Sequence, residues 1–332
     1  MYKACGDFVN FDCSIRGINQ IFNNTNIIKN YPDENDILGS LELAGSIHKK
    51  VRQYLQPYLK PNIKLIEIAE IIEKKTIELS NQEKSINKGI GFPVGLSLNN
   101  CAAHYHPKPN EETKLTKNDI IKIDFGTEAN GWIVDSAFTV CFDSKFNNLL
   151  DAVKDGTETG IKHLGIDASI ADYGASIQEV IESYEITLDN KIHPIKVIQN
   201  LGGHNIVKGI IHGGTFLPCT KSNSKERFKE GVYAVETFGS TGDNFAFTSG
   251  DPTLFRLNPT YTNNILYNSF STLPFCTRYI ELFNINVNNL VNNNLVYSYP
   301  PLYVKNGYTA QYEHTVYLDE YKKIVISKGE DY

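Results

Sequence analysis

"KIDFGTEANGWIVDSAFTV", residues 122–140, sets two aspartates into chain that otherwise reads as β-strand. Its flanks are β-branched and aromatic, and "TEANG" between them is turn text, so the stretch reads as an antiparallel hairpin. A loop centred on Ala129–Asn130 sets Asp124 directly opposite Asp135. A turn at Asn130–Gly131 makes the two diagonal neighbours. Both registers leave the carboxylates on one face, because strand side chains alternate with period two. Like charges this close either raise each other's pKa or take a cation between them. An acid pair on a solvated sheet edge is the plainer alternative, and the hairpin alone does not decide.

Three residues farther along extend the pattern. His204 lies in "NLGGHNI", beside glycines that let backbone approach closely. Glu236 lies in "VYAVETFG" and Glu313 in "YTAQYEHTVYL", each inside apolar strand text. A buried carboxylate without a partner is expensive, and the pattern recurs on three separate strands. Four carboxylates and one imidazole suit two divalent ions such as Mn, Fe, Co or Zn. Two such ions about 3.5–4 Å apart bridge a water and lower its pKa.

The whole chain bounds this reading. Its 332 residues suffice for one large domain or two smaller ones, and 41% hydrophobic residues supply a sizeable core. A net charge of −6 argues against general affinity for nucleic acid or an anionic membrane. No apolar run reaches the roughly 18 residues of a membrane span. The N-terminus lacks the basic start and apolar stretch of a signal peptide. Six scattered cysteines without a CxxC read as reduced thiols in the cytoplasm.

Residues 1–38 are polar and Asn-rich and read as a loosely ordered N-terminal arm. Helical spacing begins near Ser40, and "IKLIEIAEIIEKKTIEL" is a second amphipathic helix. Two more helices follow the hairpin, and short strands with Gly-rich turns fill 190–250. Residues of about 252–298 change character and read as a helical or mixed insert, because strand text resumes afterwards. Helices, hairpin, helices, strands, insert and strands together suggest an α+β domain over 39–332 with an antiparallel sheet.

With "GFPVGLSLNNCAAHYHP", "IHGG", "VETFGSTG", "YPPLYVKNGYTAQYEHTVYL" and the terminal "SKGEDY" added, the chain resembles the pita-bread metallopeptidases, and among them the type 2 methionine aminopeptidases. The resemblance covers about residues 40–332. It implies a pita-bread fold: a curved antiparallel sheet flanked by helices, with a small helical insert. It implies removal of the initiator methionine from nascent polypeptide N-termini with a small second residue, by a dinuclear metal centre and its bridging water. The family's ordered ligands fall on Asp124, Asp135, His204, Glu236 and Glu313. Asp124 would hold one ion, Asp135 and Glu313 both, and His204 with Glu236 the other, Glu236 also accepting the proton. His104 matches the active-site histidine that fumagillin-type epoxides alkylate, and His212 a second histidine on the substrate side. Phe92, Ile211, His212 and Tyr299 would form the methionine pocket. His106 and His314 inherit no role, and alternation from Glu313 turns His314 to the other sheet face.

The chain departs from the family in three places. Leu254 or Phe255 stands where type 2 members usually have a third pocket histidine. Gly202 replaces a usual Asn beside His204. The long charged N-terminal extension of many eukaryotic members is not in this sequence, so a ribosome association resting on it is not implied. Two rivals share the fold. A non-catalytic binding homologue would have lost ligands that this chain keeps. An Xaa-Pro aminopeptidase or prolidase usually carries a large N-terminal domain and no insert here.

Overall fold

The computed structural model describes residues 36–81, 88–261, 264–283 and 285–332. The arm expected at 1–38 therefore lies outside the described residues through position 35. Helix α1 (Ile37–Leu55) starts earlier than the expected Ser40, because the Asp36 side chain accepts from Gly39 N at 2.7 Å and caps it. It buries Leu41, Ala44, Ile47, Val51 and Leu55, a three-to-four spacing that turns one stripe to the core. Helix α2 (Leu65–Ser80) does the same with Leu65, Ile68, Ala69 and Ile72.

Strands β1 (Lys88–Leu98), β2 (Ile120–Ala129) and β3 (Trp132–Cys141) form a three-stranded antiparallel sheet. Helix α1 packs on β2 and β3, and α2 on β1. A second antiparallel sheet carries β4 (Gly202–Ile206), β5 (Gly231–Ser240) and β6 (Thr309–Leu318), in the order β6-β5-β4. The short strands Phe216–Pro218 and Lys323–Val325 close its two edges. Helices α3 (Asn147–His163) and α4 (Ile170–Glu182) pack together, and α3 covers β5 and β6 from behind. The curved sheet expected from the sequence is thus two sheets that meet where β3 runs beside β6. Helices cover the backs of both, and one apolar core runs between helices and sheets.

The expected insert holds its helices in three short pieces, Ile265–Phe270, Thr277–Ile280 and Val287–Asn292. They accompany a small sheet of Phe275–Cys276, Leu254–Leu257 and Val296–Tyr299, around a core that includes Phe255, Phe270 and Phe275. Among the described residues, no helix is long and apolar enough to cross a membrane.

Candidate metal centre

The hairpin takes the second of its two registers. Ala129 pairs with Trp132, and Asn130 and Gly131 occupy the turn with φ of 51° and 84°. Both values lie in the left-handed region that Asn and Gly tolerate, as a tight hairpin turn requires. Asp124 then pairs with Ala137 and Asp135 with Gly126, so the two aspartates are diagonal neighbours on one face. Gly126 is required there: a Cβ would come within 2.2 Å of the Phe92 ring packed over it.

The second sheet brings the other three. Glu236 on β5 pairs directly with Glu313 on β6, and Ala234, two residues before Glu236, pairs with His204 on β4. All five expected ligands converge where the two sheets face each other. Asp135, His204 and Glu313 offer donor atoms within 4.8 Å of one another, as do Asp124, Glu236 and Glu313. Glu313 belongs to both trios. Glu236 groups with Asp124 rather than with His204, unlike the expected division. The cause is Gln311, whose Nε2 donates to Glu236 Oε1 at 2.6 Å and to Asp124 Oδ2 at 3.1 Å. His204 Nε2 lies 3.5 Å from Asp135 Oδ2.

Electrostatically this cluster is short of positive charge. Asp135 is 5% exposed and Glu313 1%, yet among the described residues no Lys or Arg pairs with any of the four acids. Asp124 Oδ1, Asp135 Oδ1 and both Glu313 oxygens have no hydrogen-bond partner. Burial, then the charge of Asp135, pushes Asp124 well above the usual carboxylate range. Burial, then Asp124 and Asp135, does the same to Glu236. Burial, then Asp135 and Glu236, raises Glu313, and burial, opposed by the neighbouring Glu313 carboxyl, lifts Asp135 to about 7. Burial drops His204 to about 4, which keeps its imidazole neutral and free to ligate. Unpartnered buried oxygens around one neutral imidazole fit a divalent metal, the compensating charge that the protein itself does not supply.

The histidines cluster beside this donor set. The His212 ring lies 4.4 Å from that of His204, and Tyr299 lies 5.9 Å from His104 and 6.1 Å from His212. His104 sits at φ 66°, a left-handed conformation uncommon outside glycine, with its Nδ1 buried and unpartnered. Burial, then the neighbouring His212, lowers it to about 4. His106 sits within 3.2 Å of the His104 carbonyl through Nδ1. His314 faces away, as alternation requires, against Ser327 and the Tyr332 ring. Phe92 and Ile211 share one apolar cluster with Leu273 of the insert. Of the two residues expected at the pocket, Leu254 is the cross-strand partner of Tyr299. Phe255 is buried in the insert's own core. Gly202 has a steric reason: a Cβ would lie 2.4 Å from the Leu217 carbonyl.

Gln311 was not anticipated. Its signal lay in the strand period, since it precedes Glu313 by two residues and shares its face.

Comparison with known proteins agrees with this geometry. The chain matches metallopeptidase family M24 over residues 39–320. It is 43% identical over 338 residues to methionine aminopeptidase 2-1 of Aspergillus flavus, covering 94% of this chain and 76% of that one. Among solved structures, a thermophilic Arx1 superposes with a TM-score of 0.74 at 18% identity, over 90% of this chain and 92% of the other. The methionine aminopeptidase from Rickettsia prowazekii gives 0.62 at 16% identity, over 87% and 95%. At such identities the structural likenesses concern the fold alone. The chain therefore belongs to metallopeptidase family M24 and, by its likeness to curated methionine aminopeptidase 2 sequences, to the type 2 methionine aminopeptidases, divalent-metal hydrolases that act on peptide N-termini.

Proposed function

We propose that this chain, through a single catalytic domain spanning about 39–332, removes the initiator methionine from nascent proteins with a small second residue in the cytoplasm. Two divalent ions of the Mn, Fe, Co or Zn class would be held by Asp124, Asp135, His204, Glu236 and Glu313. The observation that carries this reading is Glu313: one carboxylate, unpartnered at both oxygens, stands in both donor trios. Ions bound there supply a water of lowered pKa and polarise the scissile carbonyl.

The protein's own part is placement and proton handling. Glu236 takes the proton of the attacking water, its Oε1 being held by Gln311. His104, neutral at physiological pH, serves as a hydrogen-bonding or proton-transfer partner for the reacting carbonyl. His212 lies on the substrate side. Phe92, Ile211 and Tyr299 receive the methionine side chain, whose thioether packs well against aromatic edges. The same His104 is the residue a fumagillin-type epoxide would alkylate.

The test is cleavage of Met-Ala-Ser against Ala-Pro-Ser during a metal titration. Met-Ala-Ser should be cleaved, with activity saturating near two ions per chain. An intact Met-Ala-Ser under full metal loading overturns the reading. Preference for Ala-Pro-Ser would transfer it to the Xaa-Pro aminopeptidases and prolidases.

A further inference from the structure

Asp135 and Glu313 come from different sheets, and the edges that carry them meet without a continuous backbone ladder among the described residues. A free strand edge presents unpaired N–H and C=O groups. Here side-chain hydroxyls stitch the two edges. Thr315 Oγ1 accepts from Asp135 N at 2.8 Å and donates to Asp135 O at 2.7 Å. Thr139 Oγ1 does the reverse across the seam, accepting from Gln311 N at 2.9 Å and donating to Gln311 O at 2.7 Å. Tyr332 OH accepts from Glu313 N at 2.6 Å and donates to Glu313 O at 2.9 Å. Ser136 Oγ donates to the same Glu313 carbonyl at 2.8 Å. A hydroxyl both donates and accepts, so one oxygen can satisfy both backbone groups of the residue opposite.

The residues served this way are telling. Asp135 and Glu313 are the two carboxylates assigned to both ions, and Gln311 tethers two further ligands. The tail that brings in Tyr332 is itself anchored. Buried Arg52 binds Asp331 at 2.7 and 2.8 Å and the Tyr332 carbonyl at 3.2 Å. The Tyr332 ring stacks on His314 at 4.2 Å. The "SKGEDY" segment thereby reaches the backbone of a metal-site residue without touching the site.

We propose that Thr315 and Tyr332 are positioning residues of the metal centre: the Thr315 hydroxyl locks the backbone of Asp135 across the seam, the Tyr332 hydroxyl locks that of Glu313 from the terminal segment, and together they set the carboxylate separation that a second ion requires. The inference rests on the two-ion reading above. Freeing either backbone leaves the first ion a competent half-site while the second loses geometry, because orientation of ligands by surrounding hydrogen bonds governs metal affinity.

Thr315→Val and Tyr332→Phe each delete a hydroxyl at nearly constant shape, and Thr315→Ser keeps it. The measurement is Mn(II) stoichiometry and electron paramagnetic resonance of the full chain, with peptide kinetics and circular dichroism in parallel. Wild type should take up two Mn(II) with an exchange-coupled signal. Both deletion variants should keep the tighter ion, bind the second at least about tenfold more weakly and show the isolated six-line Mn(II) signal. Their kcat should fall while KM stays within about twofold, and Thr315→Ser should restore both readouts. Two ions bound with the coupled signal and wild-type affinity in both deletion variants overturn the proposal. So does equal loss of both ions in step with loss of fold. If wild type itself saturates at one ion, the two-ion reading fails, and this inference falls with it.

Discussion

Glu236 and Glu313 are direct cross-strand partners, so a half-buried and a buried carboxylate stand side by side on one face of an antiparallel pair. Like charges opposite each other destabilise a sheet. Asp124 and Asp135 approach from the facing sheet and add to the repulsion. An arrangement so unfavourable to the empty fold is intelligible as a cation site, where attraction of each carboxylate to the ions outweighs the repulsion among them.

The first prediction takes that argument at Glu313, common to both donor trios, and at Asp135, which the family resemblance assigns to both ions. Asp135→Asn and Glu313→Gln each keep shape and remove charge. Both should lower turnover of Met-Ala-Ser to below roughly one percent of wild type, since a carboxylate serving two ions is lost from both. The same variants should leave the chelator-treated protein at least as heat-stable as wild type, because they relieve repulsion among the acids. Turnover, metal content and thermal midpoint are measured on one preparation. Near-normal turnover in either variant contradicts its assignment to both ions.

The pH dependence of the metal-free protein follows from the same charges. Asp135 is raised to about 7, and Asp124, Glu236 and Glu313 also stand well above the carboxylate range. The folded state therefore holds protons that the unfolded chain has released above about pH 4. Stability contributed by these groups is lost as pH rises through their folded values. His104 and His204 act oppositely: both are lowered to about 4, so their contribution is lost as pH falls below about 6.5. Above about pH 7.5 the histidines are neutral in both states, and buried Lys122, lowered to about 7, opposes the carboxylates as one group against several. In chelator the thermal midpoint should fall between about pH 7.5 and 8.5, and saturating Mn(II) should abolish that decline. A chelator curve that is flat or rising over this range sinks the argument.

Much of the site was legible because its residues contradict their surroundings. Asp124, Asp135, Glu236 and Glu313 are acids in apolar strand text, and period-two alternation fixes which of them share a face. The turn at Asn130–Gly131 was one of two registers that the letters allowed, and only the backbone decided between them. Gln311, Thr315, Ser136 and Tyr332 escaped notice for a different reason. A neutral amide or hydroxyl in a strand is ordinary, and its task arises only when two sheet edges meet, which no local pattern encodes. The insert's strands were hidden likewise: they are two to four residues long, too short for alternation to register. Pairing with one another, not propensity, makes them strands.

The last prediction concerns how that insert is held against the site. Arg278 grips Glu73 of α2 with two hydrogen bonds, of 2.6 and 2.9 Å, and Tyr279 donates to the same carboxylate at 2.7 Å. The Arg278 Nε also donates to the Pro107 carbonyl at 3.2 Å, three residues beyond His104. Both side chains are almost fully buried. Removing one member of a buried pair strands the other charge, which costs about 3–5 kcal/mol, whereas removing both at constant volume is often neutral. Glu73→Gln should therefore lower the urea midpoint strongly, and the double variant Glu73→Met with Arg278→Met should recover most of the loss. Because the guanidinium also braces the loop behind His104, Glu73→Gln should reduce kcat with metal content unchanged. A double variant no more stable than Glu73→Gln would mean that the clamp acts through packing rather than charge. Full kcat in Glu73→Gln would mean that the His104 loop stands without it.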